Sequence, residues 1–429
     1  MNTPTPPITS GRRRILAWAL YDWANSAFAT TVMAGFFPIF FKQYWSQGLS
    51  GTESTFYLGL GNSTASLLIV LGAPLLGAIA DCGGLHKRFL LGFAGLGVLA
   101  TGGLSLVGQG DWPLAVALFV AASVGFMGAN VFYDALLVSV TDEAHWNWVS
   151  SLGYALGYLG GGVLFSINVA MTLSPESFGL ADAGEAVRLS FVTVAVWWAV
   201  FALPLWLWVK APAATASPDG GWVARAGYAQ LRDTFHRLRQ FRMVFLFLLA
   251  YWFYIDGVDT IVRMAVDYGL SIGLQQEDLI TALLITQFVG FPSAIGFAML
   301  ARRIGARNGI FLALGVYVVA TVAAVFMDSS GEFYGLAVTI GLVQGGVQAL
   351  SRSLYARMIP SRMAAEFFGF YNMLGKFAAV MGPLLVGSVS VLTGSHRWGL
   401  LSVVALFVVG ALLLARVDVA AAERAAKKF

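Results

Sequence analysis

Charged side chains are scarce in this chain. Of its 429 residues only 11% are Asp, Glu, Lys or Arg, whereas 58% are hydrophobic. A soluble protein carries roughly a quarter charged residues, so a water-exposed surface cannot be built from this composition. Because a helix crosses about 30 Å of hydrocarbon with about 20 mainly apolar residues, the chain has room for roughly ten to fourteen spans.

Cysteine and histidine are rare as well. The chain has one cysteine and four histidines, which lie far apart in the sequence: Cys82, His86, His145, His236 and His396. These numbers exclude a disulfide framework and a zinc-binding spacing. A phosphate-cradling Walker loop and a Ser-His-Asp arrangement are also absent. We therefore expect no metal, no cofactor and no catalytic residues, and we do not expect an enzyme.

The hydrophobic residues form twelve continuous runs. They predict an all-α polytopic membrane protein with two pseudo-symmetric six-helix bundles, at 1–210 and 243–429, joined by a linker at 211–242. A weak repeat supports this division, since Tyr21 and Asp22 in the first run are echoed by Tyr254 and Asp256 in the seventh. Repeated halves place a substrate site between them, near the middle of the membrane. The runs are 15–43, 54–80, 89–108, 113–139, 147–173, 189–209, 243–269, 278–301, 308–327, 333–356, 364–393 and 398–415.

The basic residues lie on one side of these runs. Lys and Arg concentrate at 12–14, at 87–88, in the linker, at 302–307, at 357–362 and in the tail, whereas the opposite loops are neutral or acidic. The placement of these basic residues therefore sets the topology, and the net charge of +4 does not indicate binding to nucleic acid. We expect a multi-pass protein of the bacterial inner membrane with both termini cytoplasmic.

The linker contains an amphipathic pattern. Its apolar stripe consists of Tyr228, Leu231, Phe235, Leu238 and Phe241, and most of its arginines lie elsewhere on the helix. Such a helix is typical of a strut on the anionic inner leaflet. A calmodulin-like target would show the same pattern.

The loop after the second run reads GAIADCGGLHKR. Its motif residues are Gly77, Asp81, Gly84, Lys87 and Arg88, and their spacing is similar to the loop 2–3 signature of the major facilitator superfamily. Glycines allow a tight turn there, and an aspartate can cap a helix or pair with a cation. The corresponding loop of the second half, ARRIGARNG, has Arg302 where the acid would stand.

Five longer segments resemble the vacuolar-effluxer-like family within that superfamily. They are YDWANSAFATTV, LGYALGYLGGG, DGVDTI with Arg263 after it, GLVQGGVQALSRSLYAR and EFFGFYNMLGKFAAVMGPLL. The resemblance implies the twelve-helix major facilitator fold and secondary transport, with amino-acid efflux as the family's named role. The chain departs from the family at Asp134, where Asn is usual, and at the acidic loop TDEAHWNW.

Polar residues form stripes on five of the predicted spans, and in the superfamily four of these spans line the central cavity. A charge inside the membrane is costly, so each should face a partner or a wet cavity. We expect these residues to bind substrate or couple protons: Asp22, Asn25, Asp134, Asp256, Asp259, Arg263, Gln344, Gln348, Arg352, Asn372 and Lys376.

Several roles remain open for these stripes. Asp259 and Arg263 have the spacing of an ion pair within one helix. Asp22, Asp134 and Arg352 lie near the cytoplasmic ends of their helices, which favours a salt-bridge gate or a structural lock over substrate contact. Asp256 and Lys376 lie near the midplane. We expect Lys376 to oppose Asp256 and Arg352 to oppose Asp134, with Asp22, Asp134 and Asp256 as candidate proton carriers.

The patterns together predict a monomeric secondary active transporter in the lipid bilayer. Its expected partners are a small polar or zwitterionic solute, such as an amino acid, and H⁺. An exporter of lipids or drugs, a passive channel and a membrane-embedded protein without transport activity are the alternatives. Five polar stripes favour a wet cavity over the apolar lateral opening that a lipid carrier needs.

Overall fold

The computed structural model describes residues 8–214, 220–236, 241–271 and 275–428. Some side chains in these ranges, including those of Arg263 and Lys376, are not described. The described residues form helices and the loops that join them. Eleven helices in this part of the chain are long and apolar enough to cross a membrane. A twelfth, Ala364–Thr393, has 30 residues, which is ample for a span.

The first six spanning helices form one half of the molecule. We number them α1 (Ile8–Ala27, continued by further helical turns to Trp45), α2 (Gly51–Gly83), α3 (His86–Gly103), α4 (Trp112–Val140), α5 (Trp146–Leu173) and α6 (Ala183–Trp208). The continuation of α1 begins with a π-helical segment, Phe28–Phe36. Such widened turns are frequent at functional sites.

The second half repeats this arrangement. Its helices are α7 (Arg242–Ser271), α8 (Gln276–Ile304), α9 (Ala306–Ala324), α10 (Ser330–Met358), α11 (Ala364–Thr393) and α12 (His396–Leu401 with Val403–Ala415). A short tail helix, Val419–Ala426, follows. The predicted twelve-helix fold is therefore confirmed. Because the number of spans is even, the two described ends of the chain lie at the same end of the helix bundle, which we call the terminal side.

Local sequence signals explain where several helices begin. Ser50 and Glu53 form a capping box at α2, and Ser329 and Glu332 form the corresponding one at α10. These reciprocal hydrogen bonds satisfy backbone N–H groups that a helix start leaves unpaired. At the other end of α2, Gly84 adopts a left-handed conformation with φ 62°, and the chain turns into α3.

The two halves touch most closely between α2 and α11 on the terminal side. A Cβ atom added to Gly77 would lie 2.2 Å from the carbonyl oxygen of Ala365, and one added to Gly369 would lie 2.7 Å from the carbonyl oxygen of Ala73. Because glycine has no side chain, the two backbones meet directly. The structure is consequently closed on the terminal side.

The linker contains a helix, Gly220–His236, that packs along α2. Its packing face includes Gly227, where a Cβ would lie 2.6 Å from the Ile79 side chain, and the buried Thr234. Of the stripe expected from the sequence, Tyr228 is exposed and Phe241 is buried against Phe367 of α11. The other expected residues are Leu231, which is half-buried, and Phe235 and Leu238, whose side chains lie outside the description. The linker helix therefore contacts protein with Gly227 and Thr234 and also with apolar residues, since Leu231 packs against the hydrophobic core and Val223 lies next to Gly83.

Candidate functional site

A cavity of about 290 Å³ lies between the two halves, lined by residues of α1, α4, α5, α7, α8, α10 and α11. It brings together most of the polar residues that the sequence singles out. These are Asp22, Asn25, Asp134, Asp259, Gln344, Gln348, Arg352 and Asn372. Arg263 and Lys376 cannot be placed against it, because their side chains lie outside the described part of the chain.

Arg352 forms the floor of this cavity on the terminal side. It is 1% exposed, and one guanidinium nitrogen donates to Asp134 Oδ1 at 3.0 Å. A second nitrogen lies 3.5 Å from Asp22 Oδ2. The guanidinium also donates from Nε to the hydroxyl of Ser150 at 2.9 Å and from Nη2 to the Ser150 carbonyl at 2.8 Å. The guanidinium N–H groups of this buried arginine thus face two carboxylates and one serine of the opposite half.

The two carboxylates of this charge cluster, Asp22 and Asp134, have further donors. The hydroxyl of Tyr133 donates to Asp22 Oδ2 at 2.7 Å, and the amide of Asn372 donates to Asp134 Oδ2 at 3.0 Å. The Tyr154 ring lies 4.3 Å from the Arg352 guanidinium carbon. Such neighbours compensate the charges for the loss of water. Asn372 and Arg352 belong to the second half, and the other members of the charge cluster belong to the first. The charge cluster therefore holds the two halves together.

The walls of the cavity are aromatic and amide-rich. Tyr158 on α5 donates from its hydroxyl to Gln348 Oε1 on α10 at 3.1 Å, and Gln287 on α8 donates to Thr30 Oγ1 on α1 at 3.1 Å. Within the described residues, Gln344 Oε1 is buried and has no hydrogen-bond partner. An unsatisfied buried acceptor next to a cavity is suited to a donor on a bound solute.

Asp256 lies outside this lining. It is 1% exposed, and its Oδ1 accepts from the backbone N–H of Gly382 on α11 at 3.0 Å and from the Thr260 hydroxyl at 3.4 Å. Pro383 follows Gly382 and carries no N–H group, so α11 lacks one of its own hydrogen bonds there. The stripe on α7 therefore divides, with Asp259 in the cavity wall and Asp256 between α7 and α11.

The aspartate of the loop 2–3 motif caps a helix and also contacts a histidine. Asp81 is 2% exposed and accepts from the backbone N–H groups of Ala365 at 3.0 Å and Glu366 at 2.8 Å, so it caps the start of α11. Its Oδ1 also lies 2.8 Å from His86 Nε2. Of the other motif residues, Gly77 and Gly84 make the backbone contact and the turn described above, while Lys87 is half-buried and Arg88 is exposed.

The linker helix extends this contact. The Cys82 thiol donates to Gln230 Oε1 at 3.2 Å, and the Gln230 amide donates to Glu366 Oε2 at 2.6 Å. We call the contacts of Asp81, Cys82, His86, Gln230 and Glu366 the α2–α11 latch. The sequence patterns identify only Asp81 among these, because glutamine, glutamate and histidine near a helix end are ordinary at a membrane surface.

The corresponding loop of the second half makes its contacts through arginines in place of an aspartate. Arg302, which stands in place of the acid, lies with its guanidinium carbon 5.9 Å from the centre of the Trp148 ring on α5. Arg307 donates to the carbonyl oxygen of Leu414 at 3.0 Å. Among the described residues, no group of three or more His, Cys, Asp or Glu side chains could hold a metal ion.

Comparisons with known proteins agree with this architecture. The profile of the vacuole effluxer Atg22-like family matches residues 48–147 and 139–427. An uncharacterized MFS-type transporter of Bacillus subtilis, YxiO, is 39% identical over 401 residues, which cover 93% of each chain. Autophagy-related protein 22 of Yarrowia lipolytica is 29% identical over 303 residues, and the match covers 62% of this chain but only 50% of the fungal protein.

A solved structure has the same fold. The human organic anion transporter MFSD10 superimposes with a TM-score of 0.75 at 15% identity, covering 96% of this chain and 100% of that chain. Identity this low establishes the fold and nothing finer. Taken with the family match and the Bacillus relative, the chain is a multi-pass membrane protein and a secondary transporter, and it belongs to the Atg22-like family of the major facilitator superfamily.

Proposed function

We propose that the protein moves a small polar or zwitterionic solute, with amino acids as the first candidates, by alternating access coupled to H⁺. The observation that carries the proposal is a polar cavity whose floor is a charge cluster shared by both halves. A volume of about 290 Å³ suits a solute of amino-acid size better than a lipid. The name of the matched family, vacuole effluxer Atg22-like, adds support for efflux as the direction of transport.

The lining suits a zwitterion. Asp259 stands in the wall, and the space is surrounded by five tyrosines: Tyr133, Tyr154, Tyr158, Tyr251 and Tyr371. Tyrosine faces and a carboxylate attract an ammonium group. The amide groups of Gln344 and Gln348 offer hydrogen bonds to a carboxylate or a hydroxyl. An apolar drug or lipid would leave Gln344 Oε1, which is buried and has no hydrogen-bond partner among the described residues, unsatisfied, at a cost in affinity.

The charge cluster is a suitable gate on the terminal side. Opening toward that side separates Arg352 from Asp22 and Asp134, because they belong to opposite halves. A proton on either carboxylate weakens its attraction to the guanidinium, so proton uptake favours opening. Asp22 and Asp134 are therefore the first candidates to couple H⁺ to the transport cycle, and Asp256 is the third.

Solute uptake into proteoliposomes tests the proposal. Purified protein is reconstituted, a pH gradient is imposed, and the accumulation of labelled amino acids, sugars and nucleosides is followed with and without an ionophore that collapses the gradient. We expect gradient-dependent movement of at least one amino acid. Movement that ignores the gradient would contradict proton coupling, and transport confined to lipids or apolar drugs would overturn the solute class.

A further inference from the structure

A second cavity, of about 770 Å³, opens on the terminal side of the molecule. It lies apart from the central cavity, between Asn147 on α5, Ala301 on α8, Leu354 and Arg357 on α10, and the segment 415–420 that leads into the tail helix. Residues of both halves thus form its walls. We call it the tail cleft.

The tail cleft is basic. Three arginines line it, Arg307, Arg357 and Arg416, against one acidic lining residue, Asp418. The Asp418 carboxylate is already engaged, since it accepts from the backbone N–H of Ala421 at 2.9 Å and caps the tail helix. The Glu143 carboxylate also lies 3.5 Å from Arg357, so three arginines stand against two carboxylates and the net charge of the cleft is positive.

Two of these arginines are held in place by the protein. Arg307 donates to the carbonyl oxygen at Leu414, and Arg357 donates to the Glu143 carbonyl at 3.0 Å, with the Glu143 carboxylate 3.5 Å away. Side chains that are fixed beforehand lose little entropy when they bind. Arg307 Nε is buried and, among the described residues, has no hydrogen-bond partner. Guanidinium groups arranged in this way match the oxygens of a phosphate.

The same cleft contains a hydrogen-bond acceptor, the side-chain oxygen of Asn147. Asn147 Oδ1 is buried and lacks a hydrogen-bond partner in the described part of the chain. It therefore suits a ligand that carries a donor, such as a hydroxyl, close to its phosphate. The cleft also lies where lipid-facing surface ends, since Ile304, next to Gly305 in its wall, and Leu412, near Ala415, are 37% and 61% exposed.

We propose that the tail cleft binds a phosphodiester anion with a neighbouring hydroxyl, as in the headgroup of phosphatidylglycerol. Arginine-rich pockets between spanning helices at the membrane surface are suited to anionic headgroups. Because α5 lies in one half and α8, α10 and the tail in the other, the ligand bridges the halves. Its binding stabilises the conformation that is closed on the terminal side.

Thermal unfolding of the full-length protein in neutral detergent tests this inference independently of transport. The parent is titrated with phosphatidylglycerol, with phosphatidylcholine and with soluble glycerol phosphate. Arg416→Gln removes an exposed cleft arginine, and Arg424→Gln removes an exposed arginine of the tail helix outside the cleft lining. Arg357→Gln is a second cleft variant.

We expect phosphatidylglycerol to raise Tm in the parent and in Arg424→Gln. In Arg416→Gln the half-maximal shift should need about fivefold more lipid, the factor that corresponds to about 1 kcal/mol per basic residue. If soluble glycerol phosphate raises Tm as much as phosphatidylglycerol does, the cleft binds a phosphate group, but the ligand is a soluble phosphate and not a lipid. Equal shifts with phosphatidylcholine, or equal responses of the two cleft variants and Arg424→Gln, would overturn the proposal.

Discussion

The guanidinium of Arg352 on α10 lies 3.0 Å from the carboxylate of Asp134 on α4, across a sequence separation of 218 residues. Each half of the molecule contributes one partner, and both side chains are buried. The contact therefore exists only while the halves are together on the terminal side. This gives the pair a role in the conformational equilibrium as well as in stability.

Arg352→Gln is expected to destabilise the protein and to abolish transport. The substitution leaves Asp22 and Asp134 buried without their cation, and breaking a buried pair in this way typically costs about 3–5 kcal/mol. Thermal unfolding in detergent and uptake into proteoliposomes measure the two effects. Arg303→Gln, at an exposed position of α8, is the control for loss of one positive charge.

The double variant Arg352→Gln with Asp134→Asn separates stability from function. Removing the carboxylate as well as the cation should recover part of the lost stability, while transport stays absent. A double variant that transports normally would show that the charge cluster is dispensable for the transport cycle.

Gly77→Ala is expected to open the molecule on the terminal side. The added methyl group would meet the backbone of Ala365, which cannot move aside as a side chain can, so α2 and α11 must separate at a cost of about 1–3 kcal/mol. Gly92→Ala on α3 is the matched control, because no heavy atom lies within 4 Å of its Cβ position.

Distances between spin labels at positions 88 and 362 report this opening, since the two sites follow α2 and precede α11 on the terminal side. The distance distribution should shift to longer values in Gly77→Ala and stay at the parent values in Gly92→Ala. Identical distributions in both variants would show that the close approach of α2 and α11 does not limit the opening.

Asp256→Asn is expected to fold normally and to lose transport driven by a pH gradient. The amide oxygen of asparagine can still accept from Gly382 N–H, but the side chain cannot carry a proton in exchange. Asp256→Ala removes the acceptor as well and should lower Tm. If Asp256→Asn retains full gradient-driven transport, proton coupling belongs to another carboxylate and Asp256 serves only to hold α7 against α11.

Both chain ends and the linker are expected on the cytoplasmic side, because lysine and arginine concentrate in the loops of the terminal side. Single cysteines at positions 427 and 180 test this with a membrane-impermeant thiol reagent on intact cells. Position 180 should react and position 427 should not, and Cys82 contributes little background because it is 5% exposed. The reverse pattern would invert the topology.

The helices and the pairing of Arg352 with Asp134 could be predicted because they follow from one-dimensional patterns, whereas the expected pairing of Lys376 with Asp256 lies outside the described side chains. Long apolar runs fix the spans, since unpaired backbone groups are not tolerated in lipid. A charged residue inside a span needs a partner, and with few charges available the partners of Arg352 are limited to residues such as Asp22 and Asp134.

The positions of Asp256 and Asp259 could not be separated in the same way. They are three residues apart on one helical face, and a small difference in the rotation of α7 decides which of them enters the cavity. The sequence also did not identify Tyr154 and Tyr158 as cavity residues, because the glycines are the most conspicuous feature of the segment LGYALGYLGGG. Their i, i+4 spacing was the signal for a common face.

The linker helix illustrates a further limit. Its apolar stripe predicts contact with lipid, yet Leu231 of that stripe packs against the protein core, and Gly227 and Gln230 add contacts with α2 and α11. Small and polar residues on a short helix are typical of a solvated face. Only the neighbouring surface, where Cys82 and Glu366 offer matching groups, shows that this face is a packing surface.

The linker helix has a consequence for how the chain assembles. It belongs by sequence to the segment that precedes α7, but the helix against which it packs, α2, lies in the first half. A polypeptide cut between Ala214 and Gly220 would leave this helix on the second fragment with its docking surface on the first. In two co-expressed fragments, the packing of this helix on α2 would bring the fragments together. This contact could replace the covalent link between the halves.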